Sequence, residues 1–388
     1  MTEQVVVLGS GYAGTGAIQS LEKSLPATAE LTWVSDVEYH LILHESHRCI
    51  RDPSVKAHVT IPIDEIKSPE TRFVQGTVTE IDTENRRIHL ADGTDLDYDY
   101  VLVGIGTRTA FFGIEGMETH AHTLKGLDDA LGIHEDLDRA ASEATPDDPA
   151  QIIVGGAGLS GIQVAGEIAE YRDEHDASIE IHLVEGLDEI YPGNDEAVQR
   201  RLRRLLEEKG VQIRTGEFIS GVNENTVTIG DGEALPHDVL IWTGGITGRE
   251  AARETVLEKD ERNFRLKTNG TFQTSDERVF AIGDAALIEQ SEDDPVPPNA
   301  QAAWQAAPVV GENIARAVRG QPLKQWTFTD KGTVISVGDD AVAHDIYVVP
   351  FASTFNGTAA KTLKKVIATR WIKDVTGARS AMRAWPHM

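Results

Sequence analysis

Short aliphatic runs recur along the chain, and several end in glycine. Val5-Val6-Val7-Leu8 leads into Gly9-Ser10-Gly11-Tyr12-Ala13-Gly14, and Gln151-Ile152-Ile153-Val154 leads into Gly156-Ala157-Gly158-Leu159-Ser160-Gly161. Continuous β-branched and aliphatic runs predict strands buried on both faces, as in a parallel sheet. After each glycine set the pattern becomes helical, and a second strand follows: Leu31 to Asp36 in the first case, Ile179 to Glu185 in the second. Residues 71–106 alternate in shorter runs, Arg72–Gln75, Val78–Ile81 and Arg87–Leu90, then the Ala91-Asp92-Gly93-Thr94 turn. They predict an antiparallel meander. A buried strand from Tyr98 then delivers Gly104-Ile105-Gly106-Thr107.

Further on, residues 123–150 read as a helix followed by a Pro-containing crossing. Residues 195–209 read as a helix with Asp195 as N-cap and Gly210 as its stop. Strands are expected at Asp238 to Thr243, running into Gly244-Gly245, and at Val279 to Ile282, running into Gly283-Asp284. Asn299 caps a helix that Pro308 should kink.

The two glycine sets share the spacing G-x-G-x-x-G. In each, the first glycine permits the tight turn, the second lets backbone approach a pyrophosphate, and the third lets helix and strand lie close. The helix N-terminus presents free N–H groups to the phosphates. An acid should close each motif by accepting ribose hydroxyls; Asp36 lies 22 residues past Gly14 and Glu185 lies 24 past Gly161. Two complete fingerprints predict two bound dinucleotides and an α/β fold of two Rossmann-like domains, plus a small C-terminal region. The expected boundaries are 1–115, 116–245, 246–325 and 326–388.

Composition narrows the partners. The formal net charge is −27, which disfavours nucleic acid. Lys is scarcer than Arg, 13 against 23, as in proteins of salt-loaded cytoplasms. No signal peptide is read at the N-terminus and no apolar run spans a bilayer, so a cytoplasmic protein is expected. The lone Cys49 excludes a disulfide framework and any redox cysteine pair. His40, His44 and His47 have helix-like spacing, but no Cys or carboxylate set accompanies them; a polar helix start beside a cofactor or solvent is the expectation, with no metal.

The order of motifs, two dinucleotide turns, Trp242-Thr243-Gly244-Gly245, Ala281-Ile282-Gly283-Asp284 and Pro298-Asn299-Ala300-Gln301-x-Ala303-x-Gln305, resembles the two-dinucleotide-binding flavoproteins, and within them the type II NADH dehydrogenases. The resemblance implies FAD on Gly9, Gly11, Tyr12, Ala13, Gly14, Asp36, Gly106, Thr107, Gly283, Asp284, Ala300 and Gln301. It implies an NAD domain inserted in the FAD domain, with NADH on Gly156, Gly158, Leu159, Gly161, Glu185, Gly244 and Gly245. A hydride then passes from NADH to the flavin, and two electrons pass to a quinone or other small acceptor. Candidate catalytic residues are Gln163, Glu167, Gln301 and Gln305. The family often has Glu at the position of Gln163, and a second Gln where Ala306 follows Gln305. Two other readings stand beside this one: a single-cysteine disulfide reductase or NADH oxidase using Cys49, and a catalytically silent NAD(H)-binding sensor.

The stretch from Ser353 carries seven Lys and Arg against one acid, Asp374. Between Thr358 and Lys373, Leu363, Val366, Ile367 and Trp371 read as the apolar stripe of an amphipathic basic helix, joined by Met382 and Trp385. Such a helix either anchors the protein peripherally on the cytoplasmic face of a membrane or docks on the acidic body of its own chain or of a homodimer partner.

Overall fold

The computed structural model describes residues 2–290, 295–346 and 354–388. Its centre is a five-stranded parallel sheet in the order Val279–Ala281, Tyr100–Val103, Glu3–Leu8, Ala29–Ser35, Arg72–Gln75. Val5, Val6, Val7 and Leu8 are buried, as a strand between two parallel neighbours requires. A second parallel sheet runs Gln212–Thr215, Ile179–Glu185, Ala150–Gly155, Val239–Trp242. The chain leaves the first sheet through Thr107–Thr109 and returns through Ile246–Gly248, and these two segments pair with each other antiparallel. Entry and exit of the inserted sheet are thereby tied together.

Several local expectations are corrected. Arg72–Gln75 is the edge of the parallel sheet; the antiparallel meander is Val78–Asp82, Arg87–Leu90 and Asp95–Asp97. A four-residue run with Phe73 and Val74 half-buried has too little alternation to distinguish these two roles. The histidine segment is not a helix start: Tyr39–Leu41 is a strand and Leu43–Ile50 a 3-10 helix, so His40 shares no helical face with His44. The helix Ala300–Val318 begins at Asn299, whose side chain accepts from the Ala302 N–H at 2.8 Å, and it continues through Pro308. Asp195 caps Glu196–Glu208 in the same way.

At the C-terminus, Thr333–Val337, Asp340–His344 and Thr354–Asn356 form an antiparallel sheet followed by helices Thr358–Thr376 and Ala378–Ala384. Ser353, where the basic stretch begins, lies outside the described residues. Trp371 departs from the expected outer stripe. It is 1% exposed and packs against Tyr12 and Trp304, with ring centroids 4.6 and 5.0 Å away, while its indole N–H donates to His40 Nε2 at 2.7 Å. Gln19 of the first helix, Tyr12–Ser24, donates to the Val375 carbonyl at 2.6 Å. The long basic helix therefore docks on its own chain. A helical repeat marks which residues share a stripe but not which stripe faces inward when two contain apolar side chains.

Trp371→Ala should cost about 3–5 kcal/mol of stability, because it opens a cavity and leaves buried His40 without its donor. Urea denaturation of wild type and variant measures the loss; an unshifted midpoint would show that the helix is not docked.

Candidate functional site

The two glycine-rich turns repeat one construction. Gly9 and Gly156 have φ of +99° and +90°, open to glycine at little cost. Their N–H groups donate to Val34 and Val184 of the neighbouring strands at 2.7 and 2.8 Å. A Cβ on Gly14 would lie 1.9 Å from the Gly9 carbonyl oxygen, and one on Gly161 would lie 1.9 Å from that of Gly156. Helix and turn are thus in backbone contact. At Gly11 and Gly158, by contrast, a Cβ would meet nothing within 4 Å among the described residues. Each of these glycines is an N-cap without a side-chain cap, so the N–H groups of Tyr12 and Ala13, and of Leu159 and Ser160, have no capping side chain competing for them among the described residues. The close approach and the open approach fall on the glycines that need them, and the uncapped N-termini suit phosphate.

Each turn has a brace that the motif does not reveal. The Trp33 indole N–H donates to the Gly9 carbonyl at 2.9 Å, and the Thr243 hydroxyl donates to the carbonyls of Gly155 and Gly156 at 3.0 and 2.9 Å. The closing acids differ. Glu185 accepts from the N–H groups of Ala157 and Leu187 at 2.8 and 3.0 Å, which fixes its carboxylate beside the second turn. Asp36 borders a cleft with Gly9, Gly76 and Val78 and faces Arg249, 3.3 Å away.

Three further segments converge on the first turn. A Cβ on Gly283 would lie 3.0 Å from the Ala13 methyl and 3.7 Å from that of Ala303, so the end of the strand Val279–Ala281 and the start of the helix at Ala300 both meet it. Asp284 is half-buried, and burial raises its carboxyl pKa against the pull of Lys125 and Arg265. Arg265 also donates to the Asp284 carbonyl at 2.8 Å. Beyond Gly106, whose φ is +69°, the Thr107 hydroxyl is buried without a hydrogen-bond partner among the described residues. An open cradle and an orphaned hydroxyl fit a polar dinucleotide such as FAD.

The four candidate catalytic side chains fall into two groups. Gln301 accepts from the Lys331 N–H at 2.7 Å and donates to the Gly332 carbonyl at 3.1 Å; Gln305 donates to Gln301 and to the Thr329 carbonyl. They hold the 329–332 loop. Gln163 and Glu167 lie on the helix Leu159–His175 in a buried cluster with His47 and Ser336, which half-buried Lys364 joins. Ser336 Oγ is 3.2 Å from Gln163 Nε2, 3.0 Å from His47 Nε2 and 2.6 Å from Lys364 Nζ. Glu167 lies 3.2 Å from Arg51, and burial pushes its pKa up to about 7. Lys364 also approaches buried Glu45 at 3.4 Å. Glycines near the second turn serve packing: Gly244 lies against the Trp242 ring, and Gly245, with φ of +78°, against that of Phe112.

Cys49 is 0% exposed, and burial pushes its thiol up to about 11. A buried, protonated thiol is a poor nucleophile. Among the described residues, no group of three or more His, Cys, Asp or Glu side chains is arranged to hold a metal ion.

Residues 3–307 match the family model described as pyridine nucleotide-disulphide oxidoreductase. The chain belongs to this family. The type II NADH:quinone oxidoreductase of Staphylococcus aureus strain NCTC 8325 is 28% identical over 399 residues, covering 98% of each chain. Among solved structures, NDH2 from Plasmodium falciparum in complex with NADH superposes with a TM-score of 0.80 at 16% identity, covering 100% of this chain and 98% of that one. The sulfide:quinone oxidoreductase of Aquifex aeolicus gives 0.80 at 17% identity, with 96% and 91% covered. Both structural likenesses establish the fold of this family member.

The turns generate a paired prediction. Gly11→Val should leave the protein folded but strip the first dinucleotide, whereas Gly14→Val should unfold it or cost about 3 kcal/mol or more through backbone overlap. Circular dichroism and the ratio of flavin to protein absorbance separate the two outcomes.

Proposed function

We propose that the protein is an FAD-dependent oxidoreductase that takes a hydride from NADH and delivers two electrons to a quinone. The observation that carries this reading is the pair of equivalent cradles, each open at its middle glycine, in a chain matched end to end by type II NADH:quinone oxidoreductases. FAD, when bound, supplies the hydride acceptor and the relay of electrons; the protein's task is to position and screen. The first cradle, Asp36 and Asp284 hold the FAD, and the second, with Glu185, holds NADH. The helix beginning at Ala300 directs its positive end at the same site, where it favours negative charge.

The thiol alternative finds no support in Cys49, whose burial keeps it protonated and out of reach of a disulfide. Nothing favours the silent sensor over the enzyme. NADH is preferred to NADPH because Glu185 would repel a 2′-phosphate. Arg214 is in the neighbouring strand opposite Val184, but Glu217 at 2.8 Å and Glu233 at 2.6 Å already neutralise it.

No helix among the described residues is long and apolar enough to cross a membrane. We place the protein peripherally on the cytoplasmic face, where a quinone is reached. With Trp371 turned inward, the contact falls to exposed Val366, Met382 and Trp385, and to Lys365, Arg370 and Arg383 around them. Each such cation contributes about 1 kcal/mol near an anionic surface at moderate salt.

Two measurements follow from this reading. NADH should bleach the flavin far faster than NADPH, and Glu185→Ala should narrow that preference; equal reduction by both in wild type would refute the assignment of Glu185. The protein should float with anionic but not with neutral liposomes, and Trp385→Ala together with Met382→Ala should weaken flotation. Absence of flotation with either lipid would remove the membrane claim.

A further inference from the structure

Two large apolar side chains stand in solvent beside Glu185: Leu187, 50% exposed, and Phe218, 66% exposed. They come from different strands. Leu187 follows Ile179–Glu185, Phe218 follows Gln212–Thr215, and the strands pair in parallel with Glu185 opposite Thr215. Beyond the strand ends the backbone remains joined, because Gly216 N–H donates to the Leu187 carbonyl at 2.8 Å and Glu217 N–H to that of Glu185 at 3.1 Å. The Phe218 carbonyl accepts in turn from the Gly230 N–H at 3.0 Å. The ring lies over Gly186, where an added Cβ would fall 2.4 Å from two ring carbons. Phe218 is thus held on a rigid ledge next to the acid, with one side against glycine.

Single exposed apolar residues are ordinary, but two on adjoining strand ends, next in the backbone to a preorganised carboxylate, suit an occupant that is flat and apolar on its faces. The geometry of a dinucleotide supplies one. With its pyrophosphate held at Gly158 and its ribose hydroxyls at Glu185, a dinucleotide would carry the base on that ribose to the far side of the acid from the turn. We propose that Phe218 stacks on the adenine of the bound pyridine dinucleotide, with Leu187 completing the apolar seat. The assignment rests on the NADH reading above and goes beyond it, since neither the glycine fingerprint nor its acid specifies what holds the base. Phe218 is a positioning residue. Its stack supplies binding at the far end of the molecule from the hydride, and so fixes the nicotinamide through the length of the ligand.

The test uses FAD-loaded enzyme and ADP-ribose, which has the adenine, ribose and pyrophosphate but no nicotinamide. Calorimetric titration should show Phe218→Ala binding ADP-ribose about tenfold more weakly than wild type, in the range for loss of one aromatic stack on a base. Phe218→Tyr, which keeps the ring, should bind as wild type does, and Leu187→Ala should show a smaller loss. The ratio of flavin-reduction efficiency with NADH to that with reduced nicotinamide mononucleotide, which lacks the adenosine half, should fall in Phe218→Ala by the same factor. Wild-type affinity in Phe218→Ala, or equal weakening in the Tyr variant, would overturn the stacking assignment. A wild-type enzyme that bleaches with NADH but shows either result leaves the NADH reading intact. One that neither binds ADP-ribose nor bleaches with NADH defeats that reading and this inference together.

Discussion

Backbone-to-backbone contact between a helix and the turn before it is the constraint on which the molecule depends. At Gly14 and again at Gly161 there is no room for even a methyl group, since the added carbon would sit 1.9 Å from a carbonyl oxygen. That closeness brings the first helical N–H groups to the end of the sheet, and it leaves the middle glycine facing open space. Strand, turn and helix become one rigid unit whose exposed donors have no capping side chain among the described residues. Rigidity there removes the ordering cost that a flexible phosphate loop would incur on binding.

The rest of the chain serves to bring two such units into register. The antiparallel pairing of Thr107–Thr109 with Ile246–Gly248 fixes both crossings between the sheets at one place. A second tie is the buried polar junction where His47, Gln163 and Lys364 meet at Ser336, joining the 3-10 helix, the second dinucleotide helix and the C-terminal region. Buried charges are costly unless paired, and here Glu167 has Arg51 and Glu45 has Lys364. The C-terminal helix then locks onto the first dinucleotide helix through Trp371. The basic segment of an acidic chain is thus built into the body, and only its outer residues remain for other surfaces.

What could be read from the sequence was local and strongly patterned. The two glycine turns, the second strands that end at Ser35, one residue before Asp36, and at Glu185, and the caps Asp195 and Asn299 each depend on a few adjacent residues and occur as the pattern implies. What could not be read depends on distant partners. Trp33 and Thr243 brace the turns from other strands, and Lys125 and Arg265 bear on Asp284 from far along the chain. The inward turn of Trp371 was hidden because its spacing suits either face of its helix. The 3-10 geometry of Leu43–Ile50 was hidden because histidine spacing does not distinguish it from an α-helix. The family resemblance implies a flavin beside Gln301 and Gln305, and the hydrogen bonds of both amides secure a loop, a use that spacing gives no means to foresee.

On the proposed reading, electrons enter from NADH and leave to a quinone without a thiol intermediate. Anaerobic stopped-flow spectroscopy of the FAD-loaded Cys49→Ser variant tests it most directly. NADH should bleach the flavin absorbance, and a soluble quinone mixed in afterwards should restore it at the wild-type rate. Restoration by a disulfide but not by quinone in wild type, lost in Cys49→Ser, would show instead that the electrons leave through the thiol.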